Sequence, residues 1–272
     1  MKLSGRVAVV TGAGSGIGRA LALGLARRGC HLALADIDEV GLDRSIAETI
    51  AVGIPGLPVS RHPLDVASRE AVAALPAAVL AAHGRVDLLV NNAGVALGGL
   101  FEQVSEADFD WLMEINFHGL VRMTRAFLPA LRASDEARIV NLSSVYGLIA
   151  PPGQAAYSAS KFAVRGFSNA LRHELAGSTV GVTVVHPGGV ATAIARRARV
   201  APGVAPEELT RRMAQAEKML RLPPARAAEI IVRAVEQGHA RVLVGGDAQF
   251  IGLLERLMPV HYWRLLARLV GM

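Results

Sequence analysis

Residues 6–18 read RVAVVTGAGSGIG, and the reading of this stretch decides the fold. Arg6 to Val10 is a short run rich in β-branched residues, as a buried strand requires. It passes into Thr11-Gly12-Ala13-Gly14-Ser15-Gly16-Ile17-Gly18, a turn whose glycines permit a tight backbone path. A helical pattern runs from Gly16 to about Arg28, and Gly29 is its C-terminal signal. Strand, glycine turn and helix start together present free backbone N–H groups, the arrangement that meets a phosphate. The spacing is Gly-x-x-x-Gly-x-Gly, a variant of the dinucleotide fingerprint with the same physical logic.

Working outward, a second strand over Cys30 to Ala35 stops at Asp36-Ile37-Asp38, followed by a helix from Glu39 to about Ala51 and a strand near Leu57 to Arg61. After Pro63-Leu64-Asp65-Val66 comes a helix to about Ala82, then the strand Val86 to Val90, which opens into Asn91-Asn92-Ala93-Gly94. A long helix is expected over Glu106 to Leu131, then a strand from Ala137 to Leu142, a helix from Ala155 to Ser178 and a buried strand from Val180 to His186. Pro187-Gly188-Gly189 follow. A helix from Pro223 to Gln237 and a last strand, Arg241 to Val244, close the pattern. Strands of four to seven residues alternating with longer helices predict βαβ units on a parallel sheet. Their near-continuous apolar character predicts cover on both faces. The expected fold class is α/β: a Rossmann-like, doubly wound parallel sheet of about seven strands with helices on both faces, forming one domain over residues 1–272.

An acid at the end of strand two, Asp36, strengthens the glycine turn as a dinucleotide site. A carboxylate there accepts hydrogen bonds from ribose hydroxyls and repels a 2′-phosphate. No basic residue follows before Arg44, and Ser15 rather than a base precedes Gly16. The expectation is NAD(H) in preference to NADP(H). Asp38 is equally able to cap the next helix, so capping does not account for Asp36.

A second constellation lies at Ser144 to Lys161, SVYGLIAPPGQAAYSASK. Tyr157 and Lys161 are four apart and share a helix face. Ser144 sits at the end of an apolar strand, where a side chain reaches a cleft; Ser143 is its rival. A phenol, an ammonium and a hydroxyl that converge can move a proton at an alcohol oxygen. A phenol near pKa 10 is too weakly acidic to be an efficient base at neutral pH, and a nearby ammonium should lower it. Asn116, in Ile115-Asn116-Phe117-His118-Gly119, is a poor residue for a plain helix interior.

With these segments in order, the chain resembles the short-chain dehydrogenase/reductase family. The resemblance rests on Thr11 to Gly18, Asn91 to Gly94, Asn116, Ser144, Tyr157-Ser158-Ala159-Ser160-Lys161 and Pro187-Gly188-Gly189-Val190-Ala191-Thr192, over roughly residues 3 to 192. It implies that Gly12, Ser15, Gly16, Ile17 and Gly18 hold the dinucleotide's phosphates. Asp65 and Val66 would border the adenine, and Asn92, Ala93 and Gly94 would line the cleft. Pro187, Gly188, Val190 and Thr192 would contact the nicotinamide end. Tyr157 would be the general acid/base, Lys161 would bond the nicotinamide ribose, Ser144 would hold the substrate oxygen, and Asn116 would hold a proton-relaying water. The family spacing of thirteen residues to the tyrosine favours Ser144 over Ser143. A homodimer or homotetramer is also implied.

The remaining features bound the reading. The 272 residues are 52% apolar and 19% charged, enough for a large core. The single Cys30 forbids an internal disulfide, reads as a buried strand residue, and fits a reducing compartment. The N-terminus leads straight into a strand, and no apolar run is long enough to span a membrane, so a cytoplasmic location is expected. Arginine supplies nearly all of the basic surplus, with no interleaved aromatics, which argues against nucleic acid. His83, His118 and His173 form no ligand pattern, and no metal is expected. Residues 190–222, arginine-rich and broken by Pro202 and Pro206, read as a lid, whose Val190, Ile194, Val200, Met213, Met219, Leu220 and Leu222 suggest a hydrophobic substrate. The extension over 245–272 is apolar with arginines and has three readings: packing on a neighbouring subunit or its own sheet edge, cover for the substrate cleft, or a peripheral membrane contact.

The expected activity is NAD(H)-linked interconversion of a hydrophobic secondary alcohol and its ketone. Two alternatives stand beside it: a 3-oxoacyl-thioester reductase acting on CoA or carrier-protein substrates, and a non-catalytic NAD-sensing scaffold.

Overall fold

A computed structural model of the chain describes residues 1–201, 204, 207 and 219–269. Pro202, Pro206 and Met213 of the lid stretch and residues 270–272 of the tail lie outside the described residues.

The opening stretch forms strand β1 (Val7–Thr11), all five residues buried, and helix α1 (Gly16–Ala26). Then come β2 (His31–Asp36), α2 (Glu39–Val52), β3 (Val59–Pro63), α3 (Arg69–His83), β4 (Leu88–Asn91) and the short β5 (Leu97–Gly98). Helices α4 (Glu106–Met113) and α5 (Leu120–Arg132) flank a π-helical turn, Glu114–Gly119. Next are β6 (Ala137–Leu142), a 3-10 turn (Val145–Gly147), α6 (Ala155–Glu174), β7 (Val180–Pro187) and β8 (Arg199–Val200). The chain finishes with α7 (Pro224–Glu236), β9 (Arg241–Val244), α8 (Gly246–Leu257) and α9 (Tyr262–Leu269).

Seven strands pair in the order β3-β2-β1-β4-β6-β7-β9, all parallel. The period-two alternation of the strands sends neighbours to opposite faces. Ala8 and Val10 join Leu21, Leu25, Ile231 and Val232 of α1 and α7 in one core. Val9 joins Val72, Phe127 and Leu171 of α3, α5 and α6 in the other. That is the doubly wound α/β architecture the pattern predicts. The edge strand β3, with Ser60, Arg61 and His62, is the one main-sheet strand without a buried residue.

The uninterrupted helix expected over 106–131 is instead broken at Asn116, where the backbone widens into the π-helical turn. Gly119 closes that turn against the loop that follows β3: a Cβ there would lie 2.8 Å from Val66 Cγ2. The lid stretch divides as well. Val190 is buried in the core and bridges Leu222, so these two residues anchor the base of the lid. Beyond them β8 pairs with β5 in a second, two-stranded sheet. The C-terminal extension packs on its own chain: Leu254 and Leu266 meet Val145 and Ile149, with Tyr262 and Trp263 alongside. It therefore backs the loop that follows Ser144.

Candidate active site

A cavity of about 440 Å³ lies at the C-terminal ends of β1, β2 and β4, where the winding of the sheet reverses. Of the residues expected to hold a dinucleotide, Gly12, Ser15, Gly16, Ile17, Asp36, Asp65, Val66, Asn92, Ala93, Gly94 and Thr192 line it. The glycine turn cannot accept side chains. Gly12 has φ +64°, and a Cβ on Gly18 would lie 2.0 Å from the Gly12 carbonyl. Asn92 fastens this turn to β4, its Nδ2 donating to the carbonyls of Thr11 (2.9 Å) and Gly12 (3.1 Å). The Thr11 hydroxyl in turn accepts from the Asn92 and Ala93 N–H groups.

Helix α1 differs from its neighbours at its start. Asp38, Ser68 and Ser105 cap α2, α3 and α4 with side-chain hydrogen bonds, whereas Ser15 makes none for α1. Its first-turn N–H groups thus face the cavity with a partial positive charge and no side-chain partner. Asp36 is held at the tip of β2 by the N–H groups of Gly14 (2.7 Å) and Asp38 (2.8 Å). A carboxylate has about four acceptor positions, which leaves capacity for hydroxyls. An uncapped helix start beside a fixed carboxylate, in a slot of this size, fits a dinucleotide.

Not every predicted contact faces the cavity. Gly18 serves helix–turn packing, and the Val190 side chain lies in the core. Pro187 pairs with Val244, and a Cβ on Gly188 would meet the Asp247 carboxylate at 2.3 Å. Any contribution of Gly188 or Val190 to a ligand is therefore made by main chain.

The residues expected to move a proton gather beyond Gly94. Ser144 caps the 3-10 turn, accepting from the Tyr146 N–H (3.1 Å), and its hydroxyl lies near enough to the Tyr157 phenol to favour the phenolate. Its rival Ser143 is buried and spent on the main-chain carbonyl of Lys161 (2.8 Å). Tyr157 packs among Leu97, Leu112 and Ala156, beside Val95 and Trp111 of the cavity wall. The Lys161 ammonium lies 5.6 Å from the Tyr157 ring centre and donates to the Leu142 carbonyl (3.1 Å). A Cβ on Gly94 would come within 3.5 Å of Lys161 Nζ and 3.1 Å of Asn116 Oδ1. The glycine is thus what lets the lysine reach the cleft.

Burial dominates the protonation of this group. It pushes the Tyr157 phenol up to about 12, although the nearby Ser144 hydroxyl pulls the other way. It lowers the Lys161 ammonium to about 8. The lowering of the phenol is expected from Lys161 together with the charge of an oxidised nicotinamide; without that charge, burial outweighs the nearby side chains. Asn116, fully buried, spends its amide on Val95, accepting from its N–H (2.8 Å) and donating to its carbonyl (3.0 Å).

Other residues at the site carried no signal in the sequence. His186, read from the sequence as a strand-end residue, lies wholly buried beneath Ser144 with Nδ1 2.9 Å from the Ser144 carbonyl. Tyr146 stacks edge-on against Tyr157. Arg199 of β8 lies 3.6 Å over the Trp111 ring and pairs with Asp108 (3.1 Å), tying the lid to α4. Among the described residues no group of three or more His, Cys, Asp or Glu is placed to hold a metal, and no helix is long and apolar enough to cross a membrane.

Comparison with known proteins bears on this geometry. SadH of Mycobacterium tuberculosis, described as a putative oxidoreductase, is 47% identical over 269 residues, covering 97% of this chain and 94% of its own. The 3-oxoacyl-[acyl-carrier-protein] reductase FabG of Thermotoga maritima is 37% identical over 192 residues, 71% of this chain and 77% of its own. Among solved structures, a short-chain dehydrogenase/reductase from Burkholderia phymatum in complex with NAD superposes with a TM-score of 0.84 at 34% identity, covering 94% and 95% of the two chains. A metagenomic short-chain oxidoreductase in complex with NADP gives 0.65 at 39% identity, over 70% and 85%. The sequence pattern described as short chain dehydrogenase matches residues 6–202. The chain belongs to the short-chain dehydrogenase family of oxidoreductases.

Proposed function

We propose that the protein is an NAD(H)-dependent oxidoreductase that interconverts a hydrophobic secondary alcohol, such as an aliphatic or aryl alcohol or a hydroxysteroid, and its ketone. The observation that carries the reading is the half-buried Tyr157 phenol beside the Ser144 hydroxyl, with the Lys161 ammonium 5.6 Å from its ring centre, next to a slot suited to a dinucleotide. When bound, the nicotinamide cofactor supplies the hydride acceptor in one direction and the hydride donor in the other.

The chain's own residues do the rest. Ser144 donates to the substrate oxygen and holds it beside the phenol. Tyr157 takes the hydroxyl proton in oxidation and returns it in reduction. Its elevated pKa suits the acid role as the protein stands; the base role draws on the positive charge of the oxidised nicotinamide together with Lys161. Because the Asn116 amide is committed to Val95, the proton relay is assigned to main-chain groups of the π-helical turn, a feature common at functional sites. Val95, Trp111, Ile115 and Ile194 give the cavity apolar walls, which supports a hydrophobic substrate. Asp36 supports NAD over NADP by repelling the 2′-phosphate.

A 3-oxoacyl-thioester reductase is the second reading, favoured by the similarity to FabG and by the arginines of the lid. The alignment of Ser144, Tyr157 and Lys161 argues against an idle NAD-sensing scaffold. Turnover of a panel of alcohols, ketones and 3-oxoacyl thioesters, followed by NADH fluorescence with NAD(H) and NADP(H) in parallel, tests these readings. The expected result is turnover of apolar alcohols with a clear NAD preference. Turnover of thioesters alone, or a preference for NADP, would overturn the proposal.

A further inference from the structure

The lid begins with a helical turn in which the Arg197 N–H donates to the Ala193 carbonyl (2.9 Å). The turn sits on the glycine loop: a Cβ on Gly16 would lie 3.2 Å from Thr192 Cγ2. Its residues Thr192, Ala193, Ile194 and Arg197 form one wall of the cofactor cavity. Among the described residues lining that cavity Arg197 is the one cation, and it shares the lining with Asp36, Asp38 and Asp65.

Arg197 is not committed to the fold. Its Nη2 lies 3.6 Å from Asp38 Oδ2, at a side-chain exposure of 64%. A long, solvated pair of this kind contributes little and exchanges readily. Two cations on neighbouring elements are engaged elsewhere. Arg19 on α1 donates to the Ser45 hydroxyl (2.9 Å) and the Gly14 carbonyl (2.5 Å), and Lys161 is buried behind Gly94. A dinucleotide brings two negative charges to the uncapped start of α1, where backbone N–H groups meet them without any side-chain cation on the turn itself.

We propose that Arg197 leaves Asp38 for the pyrophosphate of the bound dinucleotide and so clamps the first turn of the lid over the cofactor. The inference rests on the cofactor reading above. It adds a charge-assisted contact from a segment outside the glycine turn.

The test is equilibrium binding without turnover: NADH and NADPH by nicotinamide fluorescence, ADP-ribose and adenosine by calorimetry. In Arg197→Ala the dissociation constants for NADH and ADP-ribose should rise about tenfold, while that for adenosine, which lacks the pyrophosphate, stays unchanged. Arg197→Lys should recover part of the loss. Asp38→Asn keeps a capping side chain for α2 but removes the competing carboxylate, and should tighten NADH binding several-fold. A change below twofold in Arg197→Ala, an equal loss for adenosine, or a larger loss for NADPH than for NADH would overturn the clamp. Failure of the unmodified protein to bind NADH would remove the cofactor reading itself, and the clamp with it.

Discussion

Two buried polar clusters sit at opposite ends of the same parallel sheet, and they are built in opposite ways. At the N-terminal ends of β1 and β4, the Asp87 carboxylate is fully buried and saturated with donors. Arg85 (2.6 Å), Ser134 (2.6 Å), the Val7 N–H (2.9 Å) and Arg6 (3.2 Å) all reach it, and both arginines also hold Asp135. Burial alone would raise its pKa, but these bonds outweigh it and hold the carboxyl below its usual range. At the other end, beyond β6, Lys161 is also buried and Tyr157 half-buried, yet each is pushed toward its neutral form. A buried charge with a full set of partners is a fastening; buried polar groups with positions left open are reserved for a ligand.

The contrast can be broken first at the fastened end. Asp87→Ala leaves the Val7 N–H and the Ser134 hydroxyl short of an acceptor and unbalances two arginines. It should destabilise the fold by about 3 kcal/mol in urea titration, with NADH binding by the folded fraction unchanged. A loss of cofactor affinity in the folded fraction would mean that the two ends are not independent.

A second test sits beneath the reactive end. Burial depresses His186 to about 4, so between pH 6.5 and 4 the unfolded chain takes up a proton that the folded chain does not. The sign is therefore a contribution present above pH 6.5 and lost as the pH falls toward 4, worth at most about 3 kcal/mol. His186→Gln keeps a donor for the Ser144 carbonyl and cannot titrate. Thermal melts across that range should show a shallower acid loss in the variant; parallel curves for the two proteins would contradict the assignment.

How far the sequence could be read follows the same division. The dinucleotide slot was legible because its parts are local: a glycine turn that must approach phosphate, and an acid one strand later at Asp36. Tyr157 and Lys161 were legible because four residues on a helix fix their relation. The Asp87 fastening was not, since Arg6, Arg85, Asp87 and Asp135 meet only after three strands are aligned. The same holds for His186 under Ser144, for the pairing of β5 with β8, and for the Arg199–Trp111 contact across the cleft. Asn116 was flagged as unsuited to a plain helix, but nothing in one dimension indicated that its amide would clamp Val95. Val190 looked like a lid residue because apolar character alone does not distinguish a lid face from a core anchor.

The central claim is that Tyr157 moves the proton while the slot beside it holds the cofactor. Its most direct test is Tyr157→Phe, which removes the hydroxyl and keeps the ring that packs edge-on against Tyr146. Alcohol-dependent NADH formation should fall by about a thousandfold or more, with NADH affinity within twofold of the unmodified protein. Turnover within tenfold of the unmodified protein would contradict the account.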